Sequence, residues 1–207
     1  LEAAGFKANY VHGDIGWEFW QKEGNALPQR TIDLLEQHKI GLFGAITSKP
    51  KDAAAEELDP SLRDKGFVYF SPIVGLRQHF DLDICIRPCK SFKGNPLNFI
   101  RKDGKGGFEE PLVDSAIFRQ NTEGMYGGIE WTNPPKNVRD AFEAHSKMKG
   151  FAHVPSGEMA ISTRIVAKKY TGRIIRAAFE FSKNFGYKNV TVWEKPNDLR
   201  ETSGMVL

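Results

Sequence analysis

Three arginines in this chain sit where backbone elements end, and that placement invites a chemical reading. Arg77 falls in a segment patterned as a helix, Arg87 follows an apolar strand pattern directly, and Arg119 follows another. A guanidinium offers a planar fork of donors that matches a carboxylate bidentately, and it stays charged at any relevant pH. Three of them converging would hold a di- or tricarboxylic acid. Taken singly, each is more often a solvated surface group, so residue type alone does not establish convergence. Other chemistries find no motif here. There is no Gly-x-Gly-x-x-Gly and no Gly-x-x-x-x-Gly-Lys-Ser/Thr, so the ordinary dinucleotide and phosphate-loop fingerprints are absent. His-Glu-x-x-His and Gly-x-Ser-x-Gly are absent too, which removes the common metalloprotease and hydrolase readings. Cys85 and Cys89 lack the two further ligands that a zinc site needs. They read as reduced, mostly buried thiols, which fits a cytoplasmic protein.

The elements that must position these arginines follow from periodicity. Phe6, Ala8 and Tyr10 alternate with polar residues, a strand pattern. A short helix is expected around Trp17 to Trp20, and a second helix opens at Pro28 with Ile32, Leu35 and His38 on one face. Ile40 to Ile46 reads as a buried strand and residues 49–66 as an exposed loop or short helix. Strand, helix and buried strand in that order is an α/β signature. A helix follows from Pro72 to His79, then a strand from Leu82 to Ile86 closed by Arg87-Pro88, and a further strand from Leu112 to Arg119. Residues 121–160 combine a Gly-rich turn, paired prolines and short strands. The clearest helix runs from about Ser162 to Phe185, with Ile174, Ala178, Phe181 and Phe185 in one stripe and Gly186 as its C-cap. Asn189 to Trp193 reads as a strand.

The bulk numbers set limits on partners. The chain has 207 residues, 40% hydrophobic and 27% charged, the profile of an ordinary globular protein large enough to bury a core. A formal charge of +3, spread along the chain, gives no argument for nucleic acid. No apolar run reaches the ~20 residues of a membrane span. Residue 1 is a leucine inside what reads as a helix tail, and the far end stops at Gly204-Met-Val-Leu207 as a new segment begins, so both ends read as cut.

The segment after Arg119 adds a resemblance. Phe118-Arg-Gln-Asn-Thr-Glu-Gly-Met-Tyr126-Gly-Gly-Ile-Glu-Trp131 resembles the signature of the decarboxylating β-hydroxyacid dehydrogenases, the isocitrate and isopropylmalate dehydrogenase family. Gly44-Ala-Ile-Thr-Ser48 is similar to the loop beside substrate and nicotinamide. Leu76-Arg77-Gln-His-Phe-Asp-Leu82 with Ile86-Arg87-Pro88 is similar to the family's two-arginine stretch. Arg173 to Glu180, followed by Val190-Thr-Val-Trp-Glu-Lys195-Pro-Asn197, is similar to its helix, strand and catalytic lysine. These motifs occur in family order and span nearly the whole chain.

The resemblance implies an incomplete α/β fold of that family. Residues 1–82 would form part of the large domain, 83–124 with 171–207 the small domain, and 125–170 a clasp through which two subunits of a homodimer interlock. It implies that Arg77, Arg87 and Arg119 bind the carboxylates of a small di- or tricarboxylate. Thr47 and Ser71 would hydrogen-bond substrate, with Thr47 also beside the cofactor and Asn197 nearby. Tyr126 would protonate the enol left when carbon dioxide departs, and Lys195 of a second subunit would move the hydroxyl proton. A phenol titrates near ~10 and a lysine near ~10.4, so each needs help to carry protons at neutral pH; a ring of arginines and a divalent cation would favour ionised tyrosine and neutral lysine alike. The implied cofactors are NAD or NADP and Mg²⁺ or Mn²⁺, with the metal ligands expected outside this chain. Ser71 fits the isocitrate pattern, whereas Ile73 stands where isocitrate enzymes commonly have Asn, so isopropylmalate and homoisocitrate remain as alternatives, beside a non-catalytic carboxylate-binding relative.

Overall fold

The structure, a computed structural model, describes residues 2–195, 197–203 and 205. Leu1 and residues 204, 206 and 207, on which the reading of the two ends rested, lie outside them. The chain divides between Asp81 and Leu82 into two compact units.

The first unit carries α1 (Trp17–Glu23), α2 (Gln29–His38), α3 (Lys51–Glu56) and α4 (Pro72–His79). Its core is Trp20, Ala26, Ala54 and Leu58, with Trp17, Leu62 and Tyr69 packed against them. Trp20 is 1% exposed, and its indole N–H donates to the Ala54 carbonyl at 2.8 Å, satisfying the one polar atom of an otherwise apolar side chain. Gly24 ends α1 in the left-handed conformation at φ 70°, its N–H donating to the Trp20 carbonyl. A Cβ at Gly24 would stand 2.7 Å from the Phe67 ring, so the close approach demands glycine as much as the dihedral does. Residues 49–66 do form a short helix, α3, but Ala54 and Leu58 from this stretch are core residues rather than an exposed surface.

Two expected strands in this unit are not formed. Residues 6–10 and 40–46 join no ladder among the described residues, and Ile40 and Leu42 are more than four-fifths exposed. An apolar run fixes which faces a strand would bury, but a strand exists only where a neighbour supplies partners for its N–H and C=O groups.

The second unit contains β1 (Ile84–Lys90), β2 (Arg101–Lys102), β3 (Phe108–Glu109), β4 (Asp114–Gln120), β5 (Glu130–Thr132), α5 (Lys136–Glu143), β6 (Ala160–Ser162), α6 (Lys168–Phe185) and α7 (Arg200–Ser203). The pairs β1–β4, β2–β3 and β5–β6 are all antiparallel. β1 runs past Arg87-Pro88 to Lys90 instead of closing there. The Asn121 N–H donates to the Asp83 carbonyl and the Ser91 N–H to the Val113 carbonyl, which makes the odd-numbered positions of β1 the hydrogen-bonded ones. Pro88 therefore sits where its nitrogen points away from β4, and no ladder bond is lost.

α6 packs on β4 through Phe118 and Phe181, whose rings lie 5.2 Å apart, with Phe185 stacked on Phe181 at 4.2 Å. Gly186 caps it at φ 75°, as expected, and the next N–H, of Tyr187, also returns to the Ser182 carbonyl. α6 starts at Lys168, not near Ser162, because Ala160–Ser162 is taken by the ladder with β5. Asn189 to Trp193 joins no ladder among the described residues, and Trp193 is 97% exposed. Arg139 of α5 binds the carbonyls of Val154 and Ala152 and the carboxylate of Glu143, fastening the turns that follow α5 back onto it. No described helix is long and apolar enough to cross a membrane.

Candidate functional site

The ladder between β1 and β4 decides where two of the three arginines go. Cys85 pairs with Arg119 and Arg87 with Ile117, and paired residues share a face, as do residues two apart along one strand. Arg87 and Arg119 thus stand diagonally on a single face, a spacing of roughly 7–8 Å between backbones that long side chains span easily. Cys85 and Cys89 lie on the same strand as free, half-buried thiols, not the mostly buried ones expected.

Arg119 is the best-held member of the set. Its Nη2 donates to Asn121 Oδ1 at 2.7 Å and its Nη1 to the Tyr126 hydroxyl at 2.9 Å, while the guanidinium carbon stands 4.8 Å from the centre of the Tyr126 ring. Its Nε is buried without a protein partner. The turn that returns Tyr126 to Arg119 is built locally. Gly124 adopts φ 62°, and its N–H bonds the Ile165 carbonyl at 2.9 Å, pinning the turn to the segment before α6. The N–H groups of Thr122 and Glu123 both donate to Gln120 Oε1, which tightens the exit from β4. Arg119 and Tyr126 then line an open cleft of about 970 Å³, together with Met125, Arg164, Ile174 and Glu194. Tyr126 is partly exposed, so its hydroxyl is reachable from solvent as well as from Arg119.

The other expected residues fall elsewhere. Arg87 is exposed and outside the lining of that cleft, although it shares the ladder face. Lys195 and Asn197 are also outside the lining; Lys195 is exposed and pairs with Asp198 at 2.6 Å. Thr47, Ser71 and Arg77 belong to the first unit. Ser71 is the N-cap of α4 but makes no capping bond with its side chain, so its hydroxyl is not engaged there, and Arg77 is half-buried in the last turn of the same helix. The loop carrying Thr47 is tied down by its neighbours. The Tyr69 hydroxyl meets Ser48 Oγ at 3.1 Å and the Thr47 carbonyl at 3.5 Å. Lys49 pairs with Glu57, whose Oε2 also accepts the Trp17 indole N–H at 2.7 Å. The Lys49 ammonium and then the Trp17 N–H hold the Glu57 carboxyl below its ordinary value.

Sequence reasoning missed the polar groups that support Arg119. Asp83 is 3% exposed and meets Arg173 Nη2 at 3.0 Å across 90 residues of sequence. Asn121 is buried, and Glu123 Oε1 accepts the Ala167 N–H at 2.9 Å. Asn121 and Glu123 lie inside the motif after Arg119, but nothing local marks which carboxylate will be buried; that depends on α6 arriving from far along the chain.

Among the described residues, no group of three His, Cys, Asp or Glu side chains is arranged to hold a metal ion.

The model of the isocitrate/isopropylmalate dehydrogenase family matches residues 1–206. Protein DlpA of Legionella pneumophila is 36% identical over 92% of this chain and 28% of its own length. Homoisocitrate dehydrogenase of Methanocaldococcus jannaschii is 33% identical over 95% of the chain and 46% of its own length. An NADP isocitrate dehydrogenase of Staphylococcus aureus is 30% identical over 91% and 40% respectively. The crystal structure of isocitrate dehydrogenase from Methylococcus capsulatus superimposes with a TM-score of 0.71 at 27% identity, covering 99% of this chain and 48% of that one. The chain thus spans less than half the length of these relatives.

Proposed function

The chain belongs to the isocitrate/isopropylmalate dehydrogenase family, and on that premise we propose that it serves the NAD(P)-linked oxidative decarboxylation of isocitrate to 2-oxoglutarate. One observation carries the reading: Arg119 is oriented by Asn121 and bonded to the Tyr126 hydroxyl in an open cleft, which sets a carboxylate receptor beside a proton carrier. When bound, the nucleotide would take up the hydride and the divalent cation would polarise the substrate's hydroxyl and carbonyl oxygens. The roles below are those of this chain's own side chains.

Arg87 and Arg119 bind substrate carboxylates from one ladder face of the second unit, and Arg77 and Ser71 of the first unit are further substrate-binding residues, Ser71 for the extra carboxylate of isocitrate. Arg119 holds a substrate carboxylate against Tyr126, and Tyr126 delivers a proton to the enol carbon after carbon dioxide leaves. Thr47 would hydrogen-bond the substrate and help to hold the nucleotide. Lys195, with Asn197 near it, acts in the cleft of a second copy and takes part in moving the hydroxyl proton; its position outside its own chain's cleft supports that assignment. Residues 125–170 form the clasp of the homodimer.

A second reading keeps the reaction and changes the acid. Ile73 is aliphatic where an isocitrate site would place a polar contact, which favours isopropylmalate or homoisocitrate. The test is a steady-state assay of nucleotide reduction with Mn²⁺, NAD⁺ or NADP⁺, and each of the three acids in turn. This 207-residue chain by itself is expected to give no steady reduction, whereas joined to the rest of a family subunit it is expected to turn over isocitrate above the other two. Turnover with another acid alone would move the assignment to it. Steady reduction by the chain alone would contradict its reading as part of a catalytic unit, and no reduction by the joined protein, while the acids still bind, would make it a carboxylate-binding relative.

A further inference from the structure

Thr47 is proposed to meet substrate and nucleotide, yet no strand holds it in place. The residues before it, 40–46, join no ladder among the described residues, and Thr47 itself is exposed. A bracket of side chains from α1, α4's approach and the end of α3 fixes the loop instead. The Tyr69 hydroxyl meets Ser48 Oγ at 3.1 Å and makes a longer contact, at 3.5 Å, with the Thr47 carbonyl. When the phenol donates to that carbonyl, its oxygen remains free to accept the Ser48 proton, so one hydroxyl serves both residues. One position further on, Lys49 pairs with Glu57, the C-cap of α3, and its ammonium stands 5.1 Å from the centre of the Trp17 ring.

Trp17 is the common support of these groups. Its indole N–H donates to Glu57 at 2.7 Å, and its ring lies 5.1 Å from that of Tyr69. The Tyr69 ring also meets Trp20 edge-on at 5.4 Å, and Trp20 belongs to the buried core of this unit. A ring already held against two tryptophans has little rotamer freedom left to lose, so its hydroxyl binds the loop at low entropic cost. Tyr69 stands two residues before Ser71, the N-cap of α4 and the other hydroxyl proposed to meet substrate in this unit. Two residues of backbone reach at most ~7 Å. We propose that Tyr69 is a positioning residue that couples the Thr47 loop to the start of α4, its hydroxyl fixing residues 47–48 and its backbone running directly into Ser71. Its service to the reaction rests on the substrate roles given to Thr47 and Ser71 above; the fixing of the loop does not.

Tyr69→Phe keeps both ring contacts and removes only the hydroxyl, while Ser48→Ala removes its partner without touching an aromatic. Backbone amide NMR relaxation reads the loop with no ligand present. Order parameters at Thr47 and Ser48 are expected near the rigid-backbone value of about 0.85 in wild type, falling toward about 0.6 in both variants while α1 stays unchanged. Wild-type values already below about 0.6, or values that neither variant alters, would overturn the proposal.

Calorimetric titration of isocitrate into wild type, Thr47→Val, Tyr69→Phe and the double variant then separates positioning from general stability. Tyr69→Phe is expected to weaken binding about 2–10-fold, the weight of one hydrogen bond, when Thr47 is present. In the Thr47→Val background it is expected to change nothing, because the hydroxyl it positions is already gone. The same loss in both backgrounds would show that Tyr69 does not act through Thr47 and would overturn the proposal, as would wild-type affinity in Tyr69→Phe. Failure of the functional reading looks different: the wild-type protein would not bind isocitrate, and the role of Tyr69 in substrate binding would fall with it, whatever the order parameters show.

Discussion

Two stretches of the second unit share an apolar, strand-like pattern and end on a residue with a proposed role, yet fold differently. Residues 114–120 lead to Arg119 and Tyr126; residues 189–193 lead to Lys195. The first is paired along its whole length with β1, backed by Phe118 on Phe181, and closed by a turn with its own hydrogen bonds. The second joins no ladder among the described residues and leaves Trp193 almost wholly exposed. The functional groups differ accordingly. Arg119 is locked by Asn121 and Tyr126, whereas Lys195 holds an exposed pair with Asp198, of a kind worth about 0–1 kcal/mol. A strand pattern specifies a face; precision at the residue it carries comes from the partner strand and the helix behind it.

The largest expected effect lies at the locked corner. Tyr126→Phe keeps the ring against Arg119 and removes the transferable proton, so turnover should fall on the order of 10²-fold or more while substrate affinity changes little. Steady-state kinetics with a separate equilibrium binding measurement distinguish the two, and a large loss of affinity with normal turnover would reassign Tyr126 to binding. Next comes stability. Phe181→Ala removes the ring that joins α6 to β4 and should cost about 2 kcal/mol in urea unfolding, less than a fully enclosed phenylalanine because Phe181 is only half-buried. Trp193→Ala, despite deleting a larger side chain, should change stability by about 0.5 kcal/mol or less. Equal losses would mean that residues 189–193 are packed in solution as firmly as β4.

The smallest effect is a pH dependence at the far end of β4. The Tyr187 hydroxyl and then Lys90 hold the Asp114 carboxyl below its ordinary value. A carboxyl with a depressed folded value contributes stability above its unfolded value, here 3.8, and loses it as pH falls through the folded value. Tyr187→Phe should therefore lower the neutral midpoint slightly and shrink its drop on acidification below that value, so that variant and wild type converge in acid. An acid limb identical to wild type would remove Asp114 from the account of β4.

What the sequence made legible follows the same division. Helices α4 and α6 could be read because apolar spacing, a proline in a first turn and a terminal glycine are local signals that the backbone obeys wherever it sits. Residues 6–10, 40–46 and 189–193 were legible as faces but not as strands, since pairing is a property of two segments. Arg119 and Tyr126 were found through the Phe118-to-Trp131 motif, in which they stand seven positions apart, and the structure joins them directly. Asp83, Asn121 and Glu123 were not, because their importance depends on burial by α6 and on Arg173, which sequence spacing does not reveal. Ser162 was absorbed into the long helix for the same reason: its ladder partner, Glu130, lies some 30 residues away.

The central claim is that Arg119 is the fixed carboxylate receptor of an isocitrate site. Calorimetric titration of isocitrate into the protein and into Arg119→Ala tests it most directly. Loss of a desolvated, hydrogen-bonded charge should weaken binding by about 2–5 kcal/mol, with the fold intact by circular dichroism. Isocitrate affinity unchanged in a folded Arg119→Ala protein would contradict it.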